Sequence, residues 1–432
     1  MVTNSVALPI SETFDNSSAW QKQDTVWMLS IYGTAIGAGT LFLPINAGLS
    51  GIWPLVLMII LAFPMTYFSH RALCRFVLSG AGKKDITEVM NEHFGPLAGK
   101  LLTLLYFFAI YPILLMYSVA ITNTTQSFIV NQMGFASPSR GLLAIILILG
   151  LMTVIAFGQK IIIKLMSILV YPFIFSLVLL SLYLIPHWNG AIFHQSNNVL
   201  AGSKNYSLLM TIWLTIPVMV FSFNHSPIIS SFAVSQKESF KEDADKKCVS
   251  ILKYSHIMMV ATVMFFVLSC VFSLSPYDLA QAKQQNISIL SYLANHFQTP
   301  IIAYAAPIIA FIAITKSFLG HYLGAKEGLQ SMLVNYFHFR GKHVSNKTIH
   351  YLIAIFMISS CWIIATLNPS ILGMIEMLGG PIIAMLLFLM PMYAIATVPA
   401  LQEYRTQKVY NLFTIVVGIV AISAILYGLF QH

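Results

Sequence analysis

Residues 31–48 read IYGTAIGAGTLFLPINAG, and this interrupted stretch limits what the chain can fold into more than any other. It lies in the first long apolar run, yet its centre is Ile36, Gly37, Ala38 and Gly39, with Pro44 eight residues after the first of these. Glycine lowers helix propensity and proline removes a backbone donor, so a spanning helix built here is expected to break midway. At membrane depth a break is tolerable only where the freed amides and carbonyls face protein, water or a ligand. The stretch therefore reads as a binding element.

Composition fixes the class in which that reading belongs. Of 432 residues, 58% are hydrophobic and 9% are charged, whereas soluble domains carry about 25% charged residues. The chain is thus read as an all-α integral membrane protein. Cys74, Cys248, Cys270 and Cys361 fall in or beside apolar runs at irregular spacing, which suits membrane packing and not a disulfide framework or metal cluster. The polar residues 1–24 lead straight into the first span and show no cleavable signal pattern, so that span is expected to direct insertion.

Apolar runs predict eleven spans, near 26–48, 52–78, 101–130, 141–157, 162–186, 206–233, 251–274, 300–323, 349–367, 371–396 and 410–430. Only Asn368, Pro369 and Ser370 separate the ninth from the tenth, a tight turn whose proline suits a helix start. With the N-terminus inside, nineteen of the 23 lysines and arginines fall in internal segments or at the inner ends of spans, three (Arg140, Lys204 and Lys283) fall outside, and Lys316 lies deeper within a span. This positive-inside bias predicts a cytoplasmic N-terminus and a periplasmic C-terminus. The net charge of +9 is spread over many short loops, which argues against a nucleic-acid surface.

The sixth span repeats the feature of the first. It runs from Pro217 to Pro227 through Phe221, Ser222, Asn224, His225 and Ser226, placing polar side chains just before a second proline. Two interrupted spans five apart are the mark of an inverted repeat, spans 1–5 matched by 6–10, with solute held between the broken helices. The expected organisation is a cytoplasmic segment at 1–25, a first repeat at 26–205, a second at 206–396, and a loop with a peripheral eleventh helix at 397–432. Amides of Ala38, Gly39 and Thr40 at the start of one half-helix would receive a carboxylate. Carbonyls of Phe221 and Ser222 at the end of the other would accept from an ammonium, so a zwitterionic amino acid satisfies both. Gly37 and its small neighbours are expected to let ligand approach the backbone.

Four blocks in order carry a resemblance: GTAIGAGTLFLPINAG from Gly33, VMVFSFNHSPIISSFA from Val218, TKSFLGHYLGAKEG from Thr315 and NPSILGMIEMLGGPIIA from Asn368. From Trp20 to the last span the chain resembles the bacterial serine transporters of the hydroxy and aromatic amino acid permease family, within the amino acid, polyamine and organocation superfamily. The resemblance implies a LeuT-like 5+5 inverted repeat in the bacterial inner membrane, and proton-driven uptake of L-serine, with threonine as a possible poorer solute.

Selection of serine requires a partner for its hydroxyl, because a buried polar group left unpaired by alanine is costly. Ser222, Asn224 and Ser226 are candidates on the sixth span. Tyr106 and Tyr117 on the third are candidate carboxylate or gate partners, with packing the commoner role for any one tyrosine, and Thr122 and Asn123 lie further along. Of the formally charged residues inside the predicted spans, Lys316 and Glu376 stand out as expensive to bury unless paired, neutral or hydrated. Lys316 is expected between spans 1 and 8, where sodium-coupled relatives of the fold bind their cation, with its ammonium replacing that ion. It could equally hold helices together from a polar cavity. Thr315 and Ser317 offer oxygens to sodium instead, though consecutive helical residues do not share a face. Glu376 or His225 could carry the proton, and His225 could equally be a satisfied polar residue beside the break.

Other classes lack support in the sequence. There is no phosphate loop, dinucleotide fingerprint or metal-ligand spacing, so no cofactor is expected. An intramembrane enzyme would need a nucleophile, base or metal constellation, and His225 with scattered serines does not make one. A channel also uses broken helices, and saturable uptake with countertransport would separate a carrier from a pore. Among carriers the rival is sodium-coupled uptake of another small neutral amino acid. The segment NISILSYLANHF after the seventh span has the apolar spacing of a short amphipathic helix over the outer entrance.

Overall fold

The computed structural model describes residues 19–194, 207–297, 299–342, 344–375 and 380–431. Helices make up the regular structure of these residues. In chain order they are α1 (Lys22–Ala35), α2 (Ala38–Ser50), α3 (Ile52–Leu78), α4 (Ile86–Asn131), α5 (Arg140–Ala156) and α6 (Gln159–Leu184). Then come α7 (Leu208–Ser222), α8 (Ser226–Phe240), α9 (Ala244–Ser273), α10 (Pro276–Gln284), α11 (Ile289–His296) and α12 (Pro300–Phe339). The chain closes with α13 (Asn346–Leu367), α14 (Ile371–Met374), α15 (Gly380–Ala384), α16 (Met390–Thr397) and α17 (Lys408–Gln431).

The first apolar run breaks at Ile36 and Gly37. Ile36 is extended (φ −91°, ψ 96°), Gly37 caps the next helix, and the two halves are bent by 51°. Pro44 sits inside the continuous α2. Proline clashes with the carbonyl one turn back and forfeits one ladder bond, which a helix absorbs as a bend; the glycines make the break. A single residue, Gly51 at φ 94°, joins α2 to α3, a left-handed conformation that side chains with a Cβ resist. The sixth run breaks at Phe223, Asn224 and His225, after which Pro227 sits in the first turn of α8, where its missing donor costs nothing.

By length and composition alone, fewer spans are supported than the eleven expected. Among the described residues seven helices are long and apolar enough to cross a membrane, or nine if each of two bent pairs is one span. The difference is physical: α5 and α7 are apolar helices of 17 and 15 residues, short of the roughly 20 that cross the hydrocarbon. The third run starts earlier than its apolar residues suggest, because α4 contains residues 86–94 ahead of a break at Gly95 (φ 81°). The eighth runs past the predicted 323 to Phe339. Two short helices, α10 and α11, follow the seventh run, and α11 carries the segment predicted to be amphipathic.

The core gathers around the broken elements. Helix α1 packs on α6, α9 and α12, α2 on α7 and α9, and α4 lies along α12. At one end, ion pairs join the start of α1 to α9 and α3 to α9: Lys247 to Asp24 at 2.7 Å, and Arg75 to Asp245 at 3.0 Å. At the other end Asn286 links α4, α13 and α14. Its side chain donates to the Asn368 side chain and the Pro369 carbonyl and accepts from the Ile371 amide, while its backbone carbonyl accepts from the Asn123 side chain. The four cysteines are buried and unpaired.

Candidate functional site

The two breaks lie against each other. The Thr40 hydroxyl, in the first turn of α2, stands 3.2 Å from the Ser222 carbonyl and 3.3 Å from that of Ala35. In return the Ser222 hydroxyl donates to the Gly39 carbonyl at 3.2 Å. The amides of Ala38, Gly39 and Thr40 precede the first ladder bond of α2, Leu41 to Gly37, and so have no partner within that helix. Across from them the Phe221 carbonyl accepts from the Asn224 amide at 3.1 Å. Carbonyl oxygens have two lone pairs, so each retains capacity for a further donor. A positive helix end and a set of carbonyls thus share one buried locus.

Glycines permit this closeness. A Cβ on Gly37 would stand 2.3 Å from Cβ and Oγ of Ser317 and 2.7 Å from the Tyr117 ring, and one on Gly39 would stand 3.0 Å from Cα of Ser222. Protein atoms therefore occupy the space that these residues leave. The Ser317 hydroxyl donates to the Thr34 carbonyl at 2.6 Å and lies 2.8 Å from the Tyr117 hydroxyl, tying α12 and α4 to the last turn of α1. The Tyr117 and His321 rings meet edge to face with centres 5.0 Å apart.

The remaining predicted residues fall into three groups. Asn224, His225 and Ser226 are buried in and just after the second break, where the Asn224 side-chain oxygen accepts from the Ser226 amide at 3.1 Å. The Asn224 side-chain nitrogen has no hydrogen-bond partner among the described residues. Tyr106 is likewise buried with its hydroxyl unpartnered, and with Ser226 it lines a small cavity that also touches Leu73, Ile86, Ala109 and Ile383. Lys316 is fully buried between α1, α6 and α12. Its ammonium lies 3.8 Å from the centre of the Phe173 ring, and its stem passes beside Gly33. The neighbouring Thr315 hydroxyl is buried and unpartnered. Glu376 lies outside the described residues.

Three features escaped the sequence reading. Phe173 supplies an aromatic face to Lys316, an attraction that needs no hydrogen bond. Glu327, past the end of the predicted eighth span, accepts from the Ser230 hydroxyl at 2.7 Å, and that hydroxyl accepts from the Ile86 amide at 3.0 Å. The carboxylate thereby ties α12 to α8 and to the first turn of α4. His70 of α3 stacks on His225 with ring centres 3.6 Å apart, and His256 of α9 stands 4.8 Å from His225. Histidines inside apolar runs were the available signal, but their meeting depends on three separate elements.

Comparison with known proteins decides the family. The model of the tryptophan/tyrosine permease family matches residues 23–430. The chain belongs to that family. Over 418 residues it is 62% identical to the serine transporter SdaC of Escherichia coli K12, covering 96% of this chain and 97% of the relative. It is 61% identical to the Shigella flexneri protein of the same name over the same shares. Among solved structures, MhsT in complex with L-phenylalanine superposes with a TM-score of 0.60 at 18% identity, covering 94% of this chain and 97% of that one. A sodium-coupled sialic acid symporter in a substrate-bound outward-open state gives 0.55 at 12%, covering 93% and 89%. The fold is therefore the all-α, multi-span fold of the LeuT-like transporters. This chain is a permease and not an enzyme.

Proposed function

We propose that the chain is a secondary active transporter that brings L-serine across the bacterial inner membrane by alternating access, coupled to protons. The observation that carries the reading is the near full-length identity to serine transporters, joined to two helix breaks that present amides and carbonyls at one buried locus. The substrate carboxylate takes the amides of Ala38, Gly39 and Thr40. The ammonium takes carbonyls of Phe221 and Ser222, and Ser222, Asn224 or Ser226 meets the hydroxyl. Asn224 and Tyr106, buried with unpartnered polar atoms, are the side chains with capacity to spare, whereas Tyr117 is engaged with Ser317.

The architecture we propose is a 5+5 inverted repeat of eleven crossings. Helix α5 forms the fourth crossing, α7 and α8 share the sixth, and α17 is peripheral. The N-terminus is cytoplasmic. Lys22, Arg75, Lys247 and Lys408 belong to the end where α1, α3 and α9 are joined by ion pairs, which agrees with the positive-inside bias.

Proton coupling is favoured by Lys316, whose ammonium occupies the space between α1 and α12 with Phe173 beneath it. An amine held there leaves little room for sodium. Ser317 is already committed to Thr34 and Tyr117, while the unpartnered Thr315 hydroxyl is what remains for a sodium reading. Glu376 stays a candidate proton carrier. Purified protein in liposomes tests the proposal, with serine uptake measured under a proton gradient and a sodium gradient imposed separately. Concentrative uptake with the proton gradient alone is the expected result. Uptake driven by sodium alone would overturn the coupling, and no saturable serine uptake under either would overturn the substrate.

A further inference from the structure

The ring nitrogens of three buried histidines converge beside the second break. One nitrogen from each of His70, His225 and His256 lies within 4.8 Å of the other two. In all three rings Nδ1 faces a backbone carbonyl: Thr66 at 2.8 Å for His70, Phe223 at 2.9 Å for His225 and Leu252 at 2.5 Å for His256. A carbonyl can only accept, so each Nδ1 carries a proton, and in the neutral ring each Nε2 presents a lone pair. The His70 lone pair is satisfied by the His225 backbone amide at 3.2 Å. The lone pairs of His225 and His256 have no partner among the described residues, although both atoms are buried. Two buried acceptors on neighbouring rings thus lack a donor.

We infer that His225 and His256 together hold the transported proton, one Nε2 binding it as an N–H and donating that N–H to the Nε2 of the other. The bond formed is Nε2–H. The proton comes from water on the outer side and returns to water on the inner side, and no other bond changes. This supplies the donor that both lone pairs lack. The stacked pair is excluded from sharing a proton in this way, because rings at 6° and 3.6 Å have parallel lone pairs that do not point at each other. The His225–His256 rings, at 57°, are not so constrained.

The surroundings limit the site to one proton. The titratable groups facing His225 are His70 from α3, His256 from α9 and His321 from α12, and Tyr67 of α3 stands against His256. No carboxylate among the described residues pairs with the three rings, so a second imidazolium at this range would meet only repulsion. Coupling follows from position. His225 is the last residue of the break, so a movement of α8 relative to α3 and α9 would part it from His70 and His256.

The inference rests on proton coupling, so the experiment separates the two. Serine accumulation under a pH gradient and serine–serine exchange are measured in liposomes for the wild type, His225→Gln, His256→Gln and, as a control at the membrane edge, His93→Gln. The first two variants should lose about tenfold or more of the accumulation while retaining exchange, and the control should retain both. If the wild type responds to sodium and not to the pH gradient, the coupling reading fails and this inference with it. If the wild type is proton-driven and His225→Gln accumulates serine normally, this inference alone fails. A second measurement is independent of variant folding: nitrogen-15 NMR of histidine-labelled wild type at alkaline pH should show the Nδ1–H tautomer for both residues. Nε2–H tautomers, or zinc retained stoichiometrically on those nitrogens through chelator treatment, would overturn it.

Discussion

Thr40 and Ser222 clasp each other across the two helix breaks, the hydroxyl of each 3.2 Å from a carbonyl on the other element. Thr40→Val keeps the β-branched shape and removes the hydroxyl. The Ser222 carbonyl then loses a donor at a buried position, a change worth about 1 kcal/mol. The expected outcome is a small drop in thermal midpoint and a larger fall in serine uptake, since the clasp borders the proposed binding amides. Paired melting and uptake curves check it; a variant that melts lower yet transports normally would remove the clasp from the site.

Gly37 is held by shape. An alanine there places its Cβ 2.3 Å from Ser317 Cβ and 2.7 Å from the Tyr117 ring, and overpacking of this kind costs about 1–3 kcal/mol. Gly37→Ala should abolish uptake. Because Cβ is one of the clashing atoms, Ser317→Ala should fail to rescue it, whereas Ser317→Gly should restore part of the activity. Equal rescue by both would place the conflict elsewhere.

The pair of Lys247 and Asp24 joins α9 to the start of α1. Its atoms are 2.7 Å apart with side chains 6% and 0% exposed, and Lys247 also donates to the Ala19 carbonyl. Removing one partner of a buried pair strands the other charge, at about 3–5 kcal/mol. Lys247→Met alone should lower the thermal midpoint strongly, and adding Asp24→Asn should recover much of the loss. If this contact is a gate, the double variant should also increase modification of cysteines introduced beside the breaks.

The sequence made the first break legible because glycine and extended backbone are local properties, and Ile36 and Gly37 carry them. It misled on Pro44, since a proline inside a helix reads as a breaker whether or not packing absorbs the kink. The end of α12 was missed at Glu327, where small and charged residues end the apolar run but α12 continues to Phe339. Polar residues of the second break, Ser222 to Ser226, were found by local pattern. Their partners were not, because Thr40, His70 and His256 reach them from elements far apart in sequence. Period and composition locate elements; which side chains meet is a property of packing.

The short helix α10 offers a test by pH. Partial burial would raise the Asp278 carboxyl, but donors from the Ser275 hydroxyl (2.5 Å), the Ser275 amide (2.9 Å) and the Tyr292 hydroxyl (2.9 Å) outweigh it and hold the group below the usual aspartate range. His296 at 3.6 Å adds to the effect when protonated. A carboxyl whose folded affinity for protons is depressed contributes stability that is complete above the unfolded value, about 4, and is lost as pH falls through the folded value. Asp278→Asn removes that contribution, together with the cap that joins α10 to α11 through Tyr292. The variant should therefore melt below the wild type at pH 7, and the gap should narrow as pH drops below about 4. A gap of constant size across that window would show that the carboxylate's charge plays no part and that Asp278 acts through shape alone.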